Sequence, residues 1–209
     1  MQSVLDFAVL EHSVLQTDPF EFMIEPNAIK SETLDMLNQD YPEIDKPANY
    51  SIKNLPYGPS FSKLIGELNS EEFEDFIERK FNINLQDTYK TITVRKYSEP
   101  SDGNIHTDHW SKVITVLIYF NKSWTQSGGK LRLLRSKNDI EDYAAEVNPM
   151  GGALIAFKRS ENSFHGYKAF DGERRILQIN WVRNDALARY AQQFARLGTH
   201  TAKRIFRWF

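Results

Sequence analysis

The feature that most constrains this chain is a series of short, strand-like segments beginning near Thr88 and ending near Val182. Glycine and proline turns separate the segments, and β-branched and aromatic residues are frequent inside them. Many short strands joined by tight turns are typical of a barrel or sandwich. We therefore predict a β-rich core here, with strands over 91–97, 112–121, 130–134, 146–147, 153–157, 163–167 and 173–182.

Helical periodicity dominates the residues before this core. The apolar residues of 61–68, and those of a segment starting near Ser70, each fall on one stripe, which predicts two helices packed against a sheet. The other predicted elements are a strand over 20–24, a helix over 28–39 capped by Asn27, a long loop over 43–59, a helical turn over 139–143 and a helix from about 185.

Composition excludes several kinds of site and partner. The 209 residues include no cysteine, so disulfides, thiolate nucleophiles and iron–sulfur clusters are impossible. A net charge of −2 argues against a general nucleic-acid binder, and we expect no nucleic-acid partner. The longest apolar run, 113–120, is too short to span a bilayer, and the first residues do not form a signal peptide. We therefore expect a cytoplasmic protein, whose oligomeric state the sequence leaves open.

Three side chains within the β-rich region have the chemistry of a metal site. His106 and Asp108 are separated by one residue, so on an extended strand they point to the same face. His165, from a later strand, offers a second imidazole. Two imidazoles and one carboxylate, with open positions opposite, are typical of non-haem Fe(II) oxygenases. Alternation sends the rival ligand His109 to the other face, where we expect it to support the site or contact substrate.

In their order and spacing these motifs resemble the Fe(II)/2-oxoglutarate-dependent dioxygenases, especially small bacterial members related to prolyl 4-hydroxylases. The resemblance covers about 88–183 and rests mainly on His106-Thr-Asp108, Ser163-Phe-His165 and Gly172-Glu-Arg-Arg175. It implies a mainly β (α+β) chain whose core is a double-stranded β-helix, a cupin-like jelly roll with helices packed on one sheet. It also implies Fe(II) bound by His106, Asp108 and His165, with 2-oxoglutarate and O2 as co-substrates and ascorbate as a candidate reductant.

The resemblance further implies an arginine that binds the distal carboxylate of 2-oxoglutarate through its planar fork of donors. Arg174 and Arg175 are the candidates. Strand alternation places Arg174 on the more polar face of its strand, which suits an active-site lining, and Arg175 on the apolar face that would pack against helices. We therefore favour Arg174. Additional candidates for the same pocket are Tyr97, Thr115 and Tyr119.

The whole chain is interpreted as one domain: helical support over about 1–87, the β-helix core over about 88–183 and a C-terminal helix over about 184–209. The implied activity is hydroxylation of an unidentified substrate, a peptidyl proline or a small molecule, with conversion of 2-oxoglutarate and O2 to succinate and CO2. Two alternatives stay open: a cupin-like metalloenzyme that uses the same triad without 2-oxoglutarate, and a non-catalytic binding module. Specificity is expected in the loops 43–59, 98–104 and 121–129.

Overall fold

The computed structural model describes residues 3–185, which form a jelly roll of two β-sheets with helices packed on one of them. The strands are β1 (Phe22–Glu25), β2 (Tyr50–Ser51), β3 (Thr88–Ser98), β4 (Lys112–Tyr119), β5 (Leu131–Leu134), β6 (Tyr143–Val147), β7 (Leu154–Lys158), β8 (His165–Gly166) and β9 (Gly172–Arg183). The α-helices are α1 (Phe7–His12), α2 (Leu34–Gln39), α3 (Pro59–Leu68) and α4 (Glu71–Phe81). The helix predicted from about 185 lies outside the described residues.

The two sheets are built from antiparallel pairs. The larger has the strand order β1-β7-β4-β9-β3-β2, and the smaller has the order β6-β5-β8. A single bridge between His106 and His165 extends the smaller sheet beyond β8. This architecture is the predicted double-stranded β-helix. Within residues 3–185 no helix has the length and apolar character needed to cross a bilayer.

The larger sheet buries both of its faces. On β9, Leu177, Ile179 and Trp181 belong to an apolar cluster shared with α3 and α4. Ile176, one position out of phase, belongs to a second cluster between the two sheets. Successive strand residues point to opposite faces, so the alternation along β9 separates a helix side from an interior side, as predicted.

The helices α3 and α4 confirm the predicted amphipathic pair. Phe61 and Leu64 of α3, and Phe73 and Phe76 of α4, are all fully buried. The hydroxyl of Ser70 accepts a hydrogen bond from the backbone N–H of Phe73 at 3.2 Å, which caps the start of α4. The acidic residues of the first turn lie at the positive end of the helix dipole, where negative charge is stabilising.

For other elements the sequence predicted the wrong residue range or the wrong type of structure. The helix predicted over 28–39 is a 3-10 turn, Ser31–Thr33, followed by α2, and Asn27 caps neither. Residues 28–30 instead make backbone hydrogen bonds to residues 4, 6 and 152, which hold them extended. The loop 43–59 contains the short edge strand β2, and the predicted strand over 163–167 is reduced to His165–Gly166. Residues 139–143 form a turn leading into β6 and not a helix.

Candidate active site

The three predicted metal-site residues come together in the folded chain. One ligand atom each from His106, Asp108 and His165 lies within 4.8 Å of the other two. His106 was predicted to lie on a regular strand, but it lies in an extended segment joined to β8 by one bridge. Two backbone hydrogen bonds, of 3.0 and 2.9 Å, fix His106 opposite His165 in that bridge. The backbone therefore brings the two imidazoles together before any side chain is considered, and their ring centroids are 4.4 Å apart.

The backbone also orients both imidazole rings. Nδ1 of His106 lies 2.8 Å from the carbonyl oxygen of Asn104, and Nδ1 of His165 lies 3.0 Å from that of Ser163. A carbonyl oxygen only accepts, so Nδ1 carries the hydrogen in each ring. Nε2 is then the nitrogen left for a metal ion, and the second hydrogen bond fixes the ring, as is usual for histidine ligands.

Asp108 is the buried anion of the site. Nζ of Lys112 donates to its Oδ1 at 2.5 Å, and the hydroxyl of Thr115 donates to its Oδ2. Burial opposes ionisation of the carboxyl group, but the ammonium of Lys112, the adjacent imidazole of His165 and these two hydrogen bonds outweigh it. The pKa of Asp108 is therefore held well below its usual range. Asp108 is a carboxylate at any pH where the protein is expected to work.

His165 is shifted in the direction that favours metal binding. Burial, with smaller contributions from the neighbouring His106 and Lys112, lowers the pKa of its imidazole to about 4 against the opposing effect of Asp108. The ring is therefore neutral at pH 7, with a lone pair on the nitrogen that faces the other two residues.

Two basic residues of this site were missed by the sequence analysis. Lys112 comes four positions after Asp108 and returns to it through a turn, closed by the hydrogen bond from the N–H of Lys112 to the carbonyl of His109 at 3.0 Å. Arg159, at the end of β7, donates to the backbone carbonyl of Asp108 at 3.3 Å. No motif announces either contact, because each depends on how a loop folds back on a strand. His109 bonds Ser111 and stacks on the exposed Trp110.

Arg174 lies in the interior and Arg175 on the helix side, as strand alternation predicted. Arg174 is buried, and its Nε donates to the carbonyl of Gly129 and its Nη2 to the hydroxyl of Tyr119, each at 2.7 Å. Arg175 bonds Glu173 and reaches Asn38 beyond the other face of the sheet. Within residues 3–185, Nη1 of Arg174 makes no hydrogen bond, so donors remain for an anion.

The pairing of β3 with β9 helps to aim the two arginines. Arg95 pairs with Ile176 and Tyr97 pairs with Glu173, so Lys96 alone faces both Arg174 and Arg175. Such a β-bulge inserts one residue, bends its strand and redirects the side chains around it. Sequence alternation predicted that Arg174 faces the interior, as the structure shows, but nothing in the sequence indicated this bulge.

The other three pocket candidates lie in different places. Tyr119 is fully buried and holds Arg174 through its hydroxyl. Thr115 lies at the metal residues, where it donates to Asp108 and also contacts Asn180 at 3.0 Å. Tyr97 is partly exposed, and the ring contact that the structure shows for it is with the ammonium of Lys96. Tyr119 therefore lies beside Arg174, Thr115 lies nearer the metal residues, and neither a hydrogen bond nor a cation–π contact links Tyr97 to Arg174.

The tyrosine that does contact Arg174 is Tyr167. Its ring centroid lies 4.3 Å from the guanidinium carbon, compared with 5.0 Å for the ring of Tyr119 on the same group. Tyr167 follows His165 by two positions, so alternation from that histidine could have identified it. The sequence analysis missed it because it treated this segment only as the carrier of His165.

A neutral polar surface extends from Asp108 across the interior face of the larger sheet. We call it the polar wall. Thr115 and Asn180 are buried in it, and Gln178 donates to the side-chain oxygen of Asn180 at 3.0 Å. The paired positions on β3 continue the same face. The members of the polar wall are Thr91, Thr93, Thr115, Gln178 and Asn180.

The loops expected to set specificity lie at different ends of this interior. Loop 98–104 packs on Tyr167, whose backbone N–H donates to the carbonyl of Gly103 at 2.9 Å. Gly103 has φ +89°, and a Cβ there would lie 2.6 Å from the ring of Tyr167, so glycine is required. Loop 121–129 reaches Arg174 through Gly129, and in loop 43–59 the strand β2 pairs with β3 beside the polar wall.

The donor set fits a divalent transition metal. It offers two imidazoles oriented by backbone carbonyls and one ionised carboxylate, with ligand atoms within 4.8 Å of one another. Fold and site together define a jelly-roll protein with a two-histidine, one-carboxylate metal site, the arrangement typical of non-haem iron oxygenases.

Comparison with known protein families agrees with this site. Residues 92–183, which include the three metal-site residues and both arginines, match the family model of the 2OG-Fe(II) oxygenase superfamily. The resemblance predicted from the sequence motifs is thus confirmed for the β-rich core, and the superfamily is named for Fe(II) and 2-oxoglutarate. A search of curated proteins found no significant match.

Solved structures show the same fold at low sequence identity. A prolyl-4-hydroxylase from Pseudomonas putida is 15% identical, with a TM-score of 0.58, over 84% of this chain and 91% of that one. A Trichoplax adhaerens prolyl hydroxylase in complex with a hypoxia-inducible-factor peptide is 17% identical, with a TM-score of 0.54, over 84% and 88%. HygX from Streptomyces hygroscopicus, with nickel and 2-oxoglutarate bound, is 11% identical, with a TM-score of 0.51, over 78% and 82%.

Proposed function

We propose that this protein is an Fe(II)- and 2-oxoglutarate-dependent dioxygenase that hydroxylates its substrate. The observation that carries the proposal is the convergence of His106, Asp108 and His165 in the interior that also holds the buried Arg174. A metal site alone fits the alternative of a cupin-like enzyme without a 2-oxo acid. A buried arginine with free donors in the same interior favours a co-substrate that carries a carboxylate.

Each residue has a role that its contacts support. His106, Asp108 and His165 would hold Fe(II). Arg174 would bind the distal carboxylate of 2-oxoglutarate through Nη1 and Nη2, while Tyr119 and the carbonyl of Gly129 hold its guanidinium in place. Arg175, the other candidate from the sequence, is engaged on the helix side and is not proposed to bind that carboxylate. Thr115 is proposed to orient Asp108, and Tyr97 remains a candidate from the sequence alone.

Bound Fe(II) would supply redox chemistry with O2 that couples decarboxylation of 2-oxoglutarate, giving succinate and CO2, to hydroxylation of the substrate; ascorbate is the proposed reductant that keeps the iron reduced. The chain itself contributes position and charge. Lys112 and Thr115 hold the carboxylate of Asp108 ionised, and backbone carbonyls hold both imidazoles in one tautomer. His165 and Asp108 are buried, and the exposed His106 leaves the site open to solvent and ligands on its side.

The test is co-substrate turnover. Protein purified without air and supplied with Fe(II) is expected to convert 2-oxoglutarate to succinate, and Asp108→Ala is expected to abolish this turnover. Lys158→Ala is a matched control, because its ion pair with Glu21 lies on another edge of the sheet. A wild-type protein that binds iron and forms no succinate with any substrate would favour the cupin-like alternative.

The substrate proposed first is a proline-containing peptide. The polar wall offers uncharged donors and acceptors, which suit the backbone of an extended peptide. The charged residue next to it, Arg95, is neutralised by Asp102. Prolyl hydroxylases among the solved structures with this fold support the same choice. Succinate formation that rises with proline peptides, and not with alanine versions of them, would support it; stimulation by small metabolites alone would exclude it.

A further inference from the structure

We propose that the ring of Tyr167 forms the side wall of the 2-oxo acid pocket and limits it to a five-carbon diacid. This inference rests on the function proposed above. It assigns the selectivity of that pocket to a residue two positions beyond His165.

The position of Tyr167 follows from the strand that carries His165. His165 pairs with Leu133, which belongs to the cluster between the sheets, so its side chain points to the interior. Tyr167 is two residues further along, and an extended chain returns its side chain to the same face. Its ring does reach the buried guanidinium of Arg174, 4.3 Å from the centroid. Tyr167 therefore lies on the side of the interior that joins the metal residues to Arg174.

The ring of Tyr167 is held in place by loop 98–104. A Cβ on Gly103 would lie 2.6 Å from Cδ2 and 2.8 Å from Cε2 of the ring, so the backbone of loop 98–104 lies directly against it. The hydroxyl group lies 3.4 Å from the hydroxyl of the buried Ser98. Loop 98–104 and the guanidinium of Arg174 thus both pack against the ring, and it cannot shift toward either without moving that group.

This packing determines which acids fit. The pocket has a fixed end at the metal residues and another at Arg174, whose guanidinium is held by Gly129 and Tyr119. A diacid with one more methylene cannot lengthen such a pocket, so its chain must bow sideways. The bow needs room beside Arg174, where the ring of Tyr167 lies. A pocket that meets one extra methylene with a rigid wall discriminates by roughly 10–200-fold.

The test compares 2-oxoglutarate with its longer homologue 2-oxoadipate on Mn(II)-loaded protein. The readout is the ratio of the two dissociation constants from calorimetric titration, because a ratio is insensitive to a partly unfolded fraction. We expect wild type to prefer 2-oxoglutarate at least tenfold and Tyr167→Ala to reduce that preference about tenfold. Tyr167→Leu keeps an apolar contact with loop 98–104 and is expected to give an intermediate ratio. This variant tests the proposal even if the alanine variant folds poorly.

Two further variants separate the ring from its hydroxyl and from tyrosine loss in general. Tyr167→Phe keeps the wall and is expected to keep the wild-type ratio. Tyr143→Ala removes a similar tyrosine–arginine stack, 4.4 Å over Arg132 on the smaller sheet, and is expected to leave the ratio unchanged. Wild-type protein that binds neither acid overturns the proposed function and this inference together. Binding of 2-oxoglutarate with an unchanged ratio in Tyr167→Ala and Tyr167→Leu, or a changed ratio in Tyr167→Phe, overturns this inference alone.

Discussion

At the scale of single residues, two adjacent arginines have different surroundings because a strand alternates its faces. Arg174 is buried beside Tyr119, whereas Arg175 crosses to Asn38 and lies over the ring of Tyr41. Chemically identical side chains therefore receive different roles from one step along the backbone.

Substitution of each arginine by glutamine should separate these roles. Arg174→Gln is expected to weaken 2-oxoglutarate binding by roughly ten- to a hundredfold, because a charge-assisted hydrogen bond contributes about 1.5–3 kcal/mol. Arg175→Gln should lower the free energy of unfolding and leave that affinity unchanged, since its partners are Glu173 and Asn38. Calorimetric titration of the Mn(II)-loaded variants measures the affinity. Equal losses in the two variants would contradict this assignment.

Lys112 and Asp108 form a second pair, in which the contribution of charge to stability can be separated from that of packing. Removing the ammonium by Lys112→Met leaves the buried carboxylate without its nearest cation, which should cost roughly 3 kcal/mol of unfolding free energy. In the background of Asp108→Asn the same change should cost much less, because no buried charge remains to be compensated. Urea unfolding with a chelator present measures all four proteins. A similar cost in both backgrounds would show that Lys112 contributes packing and not charge.

The sequence predicted those site residues whose positions follow from the alternation of side chains along an extended chain. The pairing of His106 with Asp108, the choice of Arg174 and the interior position of Tyr119 follow from alternation on extended chain. Lys112 could not be found this way, because it meets Asp108 through a turn whose shape depends on the surrounding fold. Tyr167 could have been found from His165, and it was missed because its segment was used only to supply a ligand.

At the scale of elements, one tyrosine of the helical layer joins β3 to β9, the strand that carries both arginines. Tyr41 follows α2, and its hydroxyl lies 2.8 Å from the carbonyl of Arg95 on β3 and 3.0 Å from that of Ile176 on β9. The single hydrogen of this hydroxyl is shared between the carbonyl oxygens of Arg95 and Ile176, the residue pair next to the bulge. This contact spans the whole sequence from 41 to 176, so no local pattern could predict it.

The buried hydroxyl of Tyr41 should make stability fall at alkaline pH. Burial raises the pKa of this phenol above its ordinary 10.0, although the carbonyl contacts and Arg175 oppose the shift. The unfolded chain then loses this proton at lower pH than the folded one, so the stabilisation is complete below about pH 10 and is lost as the pH rises further. Tyr41→Phe should remove that part of the alkaline slope.

The same substitution has a cost at neutral pH. Two buried carbonyls lose their donor, which should cost about 1–3 kcal/mol. Unfolding by urea at pH 7, 9 and 10.5, on wild type and on Tyr41→Phe, measures both effects. Tyr57→Phe is the control, because Tyr57 packs on Phe61 only at the margin of the same cluster. Parallel pH curves for wild type and Tyr41→Phe would refute the assignment.

At the scale of the whole molecule, the jelly roll assembles its site from segments that are distant in sequence. The metal residues come from the segment before β4 and from β8, while the proposed carboxylate anchor comes from β9. The β-rich core and its helical cover were predictable from periodicity, because the helix side of the larger sheet is apolar and the helices that cover it are amphipathic. The order of the strands in each sheet was not, because it depends on contacts between elements and not on any one of them.

Because the proposed site has two fixed ends, metal and 2-oxoglutarate should stabilise the fold cooperatively. Mn(II) alone should raise the melting temperature, since a ligand at a hundred times its dissociation constant adds about 2.7 kcal/mol to the free energy of unfolding. For a chain of this size that corresponds to roughly 5–11 °C. 2-Oxoglutarate alone should add little, because without metal only its distal carboxylate has a partner, Arg174. Given together, the two should shift the melting temperature by more than the sum of their separate shifts.

Thermal unfolding with Mn(II), 2-oxoglutarate, both or neither measures this coupling, and a chelator should reverse it. The coupling must be reciprocal, so metal should tighten 2-oxoglutarate binding by the same factor by which 2-oxoglutarate tightens metal binding. Asp108→Asn should lose the metal shift and the coupling. Arg174→Gln should keep the metal shift and reduce the additional shift that 2-oxoglutarate gives, because it weakens binding at the far end of the pocket. Additive shifts in wild type would show that the two ligands do not share one site, and the bridging arrangement would then be wrong.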